Sequence, residues 1–301
     1  MNTRETPAGA TRPARTAAVA GSFYPARPSE LADLADACLD DPPVLAEPPL
    51  GLLVPHAGLV FSGAIAGRAW GGLGNAWRAA GVEHGTVMIA GTNHFAGWID
   101  GLAVWDGGPW ETPLGAVEVD GELAASVIAL DAGVSAQRSA HAEEHSIEVQ
   151  LPLLRRAAPG ARIVPFLVAD ASPRTLDAAR RLGGLLAEVR AAGEPVVLVA
   201  STDFAHYPNA RRAEEVNHRL LEPICALDEE ALGREEAALR RAGIPGLACG
   251  MCGIDPSRAV LAALRAAGAT RATVLAQGTS ADVPWGDSER TVGYASAAFF
   301  A

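Results

Sequence analysis

Short runs of Val, Leu and Ile alternate along the chain with Ala, Leu and Arg stretches of helical character, a pattern that predicts an α/β protein. Leu50–Pro55 reads as a buried strand, Ser62–Leu73 as the helix after it and Thr86–Ala90 as a second strand. Residues 102–119 predict short strands interrupted by Gly107-Gly108-Pro109. Gly121–Leu130, Glu144–Arg156 and Pro173–Ala191 predict helices, with strands at Ile163–Val168 and Val196–Ala200. Three helices should follow between Ala210 and Ala267, broken near Asp228 and Gly243, before Val274–Gln277 and Thr291–Phe299 close the sheet. No fixed-period repeat or low-complexity linker divides the chain, so one domain over residues 17–301 is expected. Residues 1–16 lack the apolar stretch of a secretory signal and read as a flexible arm.

Composition narrows the class. With 301 residues, 49% of them apolar and 20% charged, the chain can bury a sizeable core and is not of the disordered or collagen-like kind. A formal net charge of −11 opposes phosphate backbones and anionic lipid, so neither nucleic acid nor a membrane surface is expected as a partner. All 24 basic residues are Arg, which excludes a Walker lysine, a Schiff-base lysine and a Ser-Lys dyad. Four Cys cannot frame a chain of this length with disulfides, and no run approaches a membrane span; a soluble, cytoplasmic protein with reduced thiols is expected.

The candidate chemistry lies where the predicted strands end. The first runs into Pro55-His56-Ala57-Gly58, the second into Gly91-Thr92-Asn93-His94, and the one at 196–200 into Ser201-Thr202-Asp203-Phe204-Ala205-His206-Tyr207. In an open α/β sheet the ligand crevice lies beyond the carboxyl ends of the strands, so these histidines can converge. Asp203 and His206 suit acid/base work by their pKa range, and suit turn hydrogen bonding equally well. His141-x-x-Glu144-His145 formally matches the inverted zinc-peptidase signature, but the match is short and its approach is loop-like. Cys249-Gly-Met-Cys252 precedes a helix, where a thiolate is favoured, although a zinc ribbon would need a second such pair. No nucleophile elbow is present, and Gly71-Gly-Leu-Gly74 follows a helix rather than a strand, so hydrolase and dinucleotide readings lose their usual marks.

Seven segments together resemble the Memo family in order and spacing: Val19-Ala-Gly-Ser-Phe-Tyr-Pro25, Pro55-His-Ala-Gly58, Gly91-Thr-Asn-His94, Trp110-Glu-Thr-Pro-Leu-Gly115, Glu144-His-Ser-Ile-Glu148, Ser201-Thr-Asp-Phe-Ala-His-Tyr207 and Val292-Gly-Tyr294. The resemblance covers roughly residues 17–301. It implies a single α/β domain with a central mixed sheet flanked by helices, related to class III extradiol ring-cleaving dioxygenases and carrying a non-haem iron site. It puts His56, His94 and Cys249 at the metal, with His206, Asp203 and His145 as the catalytic and pocket residues. Fe(II) is the implied ion; Cu or Zn would suit a thiolate ligand. The family commonly follows its Cys-Gly pair with a two-residue spacer and Pro-Ile; read from Cys249, a second thiol, Cys252, falls in the spacer as an extra soft ligand or redox partner. The implied activity is dioxygenase-type oxidation of an unknown small molecule. The alternative is a non-catalytic protein that binds metal or a peptide, in signalling or as an accessory to a radical-SAM protein.

Overall fold

A computed structural model describes residues 12–130 and 132–301. Within them eight strands form one mixed sheet: β1 (Gly51–Val54), β2 (Thr86–Thr92), β3 (Leu102–Val104), β4 (Val134–Ala136), β5 (Arg162–Val168), β6 (Val196–Ser201), β7 (Arg271–Thr279) and β8 (Gly293–Phe300). Their order across the sheet is β4-β3-β5-β2-β6-β1-β8-β7. The centre, β5-β2-β6-β1, is parallel, and antiparallel pairings join β3 to β5, β8 to β1 and β7 to β8. Parallel central strands are buried on both faces, which is why their sequences are continuous apolar runs without alternation. Val87 and Ile89 of β2 point into one apolar layer, Met88 and Ala90 into the other.

The first layer holds α1 (Pro28–Cys38), α2 (Leu59–Ala79) and α4 (Leu151–Ala157); the second holds α3 (Gly121–Ile128), α5 (Pro173–Ala191), α6 (Ala210–Cys225), α7 (Glu229–Arg241) and α8 (Ile254–Ala266). The result is a single α/β domain with the sheet between two helical layers, as expected. No helix among the described residues is long and apolar enough to cross a membrane. Helix α5 begins and ends where the sequence predicts, because Ser172 caps it through the Thr175 amide and Pro173 occupies its first turn.

Three departures from the predicted elements bear on the site. Helix α1 was not expected, although Pro28 opens it and Leu31, Ala35 and Cys38 share its buried face. The stretch expected to be helical from Glu144 becomes an α-helix only at Leu151, after a 3-10 turn at Glu148–Gln150. Its first residues instead satisfy distant partners with their side chains and main chain. Of the expected arm, residues 1–11 lie outside the described residues, but Arg15 is buried and fixed. Its guanidinium donates to the carbonyls of His141 (2.7 Å) and Glu144 (2.7 Å) and to Glu148 Oε2 (2.5 Å), 4.1 Å above the Trp110 ring.

Because β1, β2 and β6 run parallel, their carboxyl ends open on the same edge of the sheet. The loop after β6 is braced there by the segment entering β8: Phe204 donates to the Gly293 carbonyl (2.8 Å) and Tyr207 to that of Thr291 (2.6 Å).

Candidate metal centre

His56 leaves β1 as a buried side chain. Asp203 holds its main chain, with Oδ1 accepting from the amides of His56 (2.7 Å) and Ala57 (3.2 Å). His94 follows β2 as an exposed residue, and Glu144 holds it twice: Oε1 accepts from Nδ1 (2.9 Å) and Oε2 from the main-chain amide (2.8 Å). The Ser146 amide donates to the same carboxylate at 2.8 Å. An ionised carboxylate only accepts, so His94 Nδ1 carries a proton, and Nε2 is the ring nitrogen left for a metal. His145 stacks on His94 with ring centroids 4.5 Å apart, and His56 meets His94 and His145 edge-on at 5.4 and 5.5 Å.

The thiol that reaches this cluster is that of Cys252, whose Sγ lies 3.3 Å from His56 Nε2. Cys252 is fixed by a reciprocal clamp with Asp203, donating its amide to the Asp203 carbonyl (3.2 Å) while its sulfur accepts the Asp203 amide (3.3 Å). The approach is close because the next residue is Gly253: a Cβ there would meet Thr202 at 2.6 Å and Thr92 at 2.7 Å. Cys249, placed at the metal by the sequence resemblance, pairs instead through its backbone, its carbonyl accepting the His206 amide at 2.9 Å. The register explains the difference. Counted from Cys252-Gly253, the two-residue spacer Ile254-Asp255 leads to Pro256, so the family's spacing was present in the sequence three residues further on.

Among the described residues, three groups each bring one donor atom per residue within 4.8 Å of one another: His56, His94 and Cys252; His94, Glu144 and His145; and Asp203, His206 and Cys252. Five of the six residues expected at the site, His56, His94, His145, Asp203 and His206, belong to these groups; Cys249 does not. His141 serves elsewhere, buried between Trp105 and Trp110 with Nε2 3.0 Å from the Ala103 carbonyl. The peptidase signature is thus broken, since its two histidines neither share a helix nor meet.

Burial sets the charge state of the cluster. It pushes His56 down to about 3 and His145 down to about 4, so both rings are neutral near pH 7. Burial also pushes the Cys252 thiol well up, with the nearby Asp203 carboxylate adding to the effect. For Glu144 burial opposes ionisation, but the hydrogen bond and charge of His94 and the two backbone amides outweigh it and hold the carboxyl at about 2. Neutral imidazoles are ready ligands, and a transition ion would displace the thiol proton on binding. Two donors bonded at 2.0–2.3 Å to one ion in tetrahedral geometry sit about 3.5 Å apart, close to the 3.3 Å between Cys252 and His56. The donor set therefore fits a transition metal.

A family model described as Memo-like protein matches residues 15–298. A MEMO1 family protein of Methanopyrus kandleri is 35% identical over 296 residues, spanning 95% of this chain and 98% of its own. One from Methanocaldococcus jannaschii is 35% identical over 296 residues, spanning 94% and 98%. The solved structure of an uncharacterized protein from Escherichia coli K12 covers 81% of this chain and 98% of its own, at 16% identity and a TM-score of 0.44.

Proposed function

The chain belongs to the Memo family, and on that premise we propose that His56, His94 and Cys252 hold a transition metal, Fe(II) foremost, for dioxygenase-type oxidation of a small molecule. The observation that carries this reading is the convergence of two imidazoles and one thiol beside Asp203 and His206. Bound there, the metal would supply a Lewis-acidic, redox-capable centre for an organic substrate and dioxygen.

The remaining chemistry belongs to the chain. The Nδ1 of His206 lies 2.6 Å from the Phe204 carbonyl and must donate to it, so Nε2 is the ring nitrogen left to exchange a proton with a substrate, in a side chain grouped with Asp203 and Cys252. Asp203 orients the first ligand by gripping the His56 and Ala57 amides. His145, neutral and stacked on His94, borders the donor cluster together with Phe23, whose ring lies 4.5 Å away.

Anaerobic purification followed by metal analysis and a screen of catechol-type substrates tests the reading. Cys252→Ala should lose stoichiometric metal and Cys249→Ala should keep it. His206→Ala should keep metal and lose about 10²–10⁴-fold in turnover, the usual cost of a missing general base. Wild type without affinity for Fe(II), Cu or Zn would overturn the metal reading. Bound metal with no turnover would leave an accessory role, binding metal or a peptide beside a radical-SAM partner.

A further inference from the structure

Behind His56 lies a chain of buried polar groups that the proposed chemistry does not use. The Trp70 indole N–H on α2 donates to Gln150 Oε1 at 2.9 Å. Indole nitrogen can only donate, so this contact fixes which end of the Gln150 amide is oxygen. The amide nitrogen then donates to the Pro55 carbonyl (2.8 Å) and to Ser201 Oγ (3.0 Å). Ser201 Oγ lies 2.6 Å from the Ser146 carbonyl oxygen. Two oxygens that close need a hydrogen between them, and the carbonyl has none, so the Ser201 proton points there. With its single proton so directed, Ser201 can only accept from His56 Nδ1, 3.1 Å away. The Trp70, Gln150 and Ser201 side chains are all fully buried, so no bulk water competes for these bonds.

We propose that Trp70, Gln150 and Ser201 form a positioning relay that holds His56 as the Nδ1–H tautomer, with the Nε2 lone pair directed toward Cys252. The inference rests on the metal reading for its purpose, whereas the tautomer itself needs no metal. Gln150 acts twice, gripping the carbonyl just before His56 and the hydroxyl behind its ring. Glu144 does the equivalent for His94, so both imidazoles present Nε2 to one point by two unrelated devices. Such outer contacts fix the tautomer and orientation of ligating histidines, and their loss typically lowers metal affinity by about 10–100-fold.

The test uses ¹⁵N-labelled, metal-free full-length protein, with long-range ¹H–¹⁵N correlation reading the two ring nitrogens of His56. Wild type should show protonated Nδ1 and bare Nε2. Ser201→Ala and Gln150→Leu, once their amide spectra confirm a native fold, should show Nε2–H or a mixture of tautomers. The same variants, titrated with Co(II) alone, should bind it about 10–100-fold more weakly with altered d–d bands. Ser201→Thr, which keeps the hydroxyl, should restore the wild-type tautomer and affinity. If Gln150→Leu does not fold, Ser201→Ala decides alone, because it leaves the Gln150 bond to Pro55 intact. Nε2–H in wild type, or an unchanged tautomer in Ser201→Ala, overturns the relay. Wild type that shows the Nδ1–H tautomer yet takes up no cobalt overturns the metal reading and supports the relay.

Discussion

Glu144 and Glu148 lie at the two ends of one short loop, both fully buried, yet they serve opposite sides of it. Glu144 is bonded by a histidine and two amides, and it faces the donor cluster. Glu148 is bonded by Arg15 (2.5 Å), by Tyr24 Oη (2.5 Å) and by the amides of Ala18 and Val19 (2.9 and 3.0 Å), and it ties down the N-terminal segment. A carboxylate neutralised by a guanidinium is part of the framework. One bonded by an imidazole and two amides, with no guanidinium beside it, is left facing the donor cluster. The partners of a buried acid, rather than its burial, separate the two roles.

The largest expected effect breaks the framework side. Glu148→Ala leaves the Arg15 guanidinium buried and unpaired, which should cost about 3–5 kcal/mol in denaturant unfolding, with metal stoichiometry kept wherever the chain is folded. A loss below about 1 kcal/mol would erase the contrast. On the site side, Glu144→Gln should lower metal affinity by about 10–100-fold and cost less stability than Glu148→Ala. Equal stability losses with unchanged metal affinity would reverse the assignment.

A smaller effect is visible in acid. Burial holds His141 at about 4 in the folded chain against 6.5 in its absence, so between those values the unfolded chain binds the extra proton. Stability should therefore fall as pH drops from about 6.5 to 4, with His56 and His145 adding to the slope. His141→Gln should remove up to one proton, about 1.4 kcal/mol per pH unit, from that slope while leaving metal uptake intact. Glu144 acts lower, its contribution being present above about 4.5 and lost as pH falls toward 2. An identical acid slope in His141→Gln would mean that this ring does not stay neutral when buried.

The same loop marks the limit of what the sequence discloses. The central strands and α5 were legible because burial on both faces and a Ser-Pro start leave local marks. His56, His94 and His206 were legible because each closes a strand. His141, His145 and Glu148 fall at helical spacing and so mimic a helix. What overrides that pattern is distant: Ala103 for His141, His94 for Glu144, and for Glu148 an Arg15 that lies 133 residues away. Local periodicity carries no trace of such partners. Cys252 was legible only as an extra soft ligand, because the neighbouring thiol of Cys249 offered a competing register. Ser201 and Gln150 look like ordinary polar residues until the bonds around them are counted.

The brace between Phe204, Tyr207 and residues 291–293 also sets an order of events during synthesis. His56, His94 and Glu144 leave the ribosome early, and β6 follows, but the loop carrying Asp203 and His206 lacks its bonds to residues 291–293 until β8 has emerged. A nascent chain stopped before that point carries every donor atom without the bonds that residues 291–293 make to the loop. The last main-chain bonds around the cluster thus come from the segment translated last, which ties the finished frame of the site to completion of the sheet.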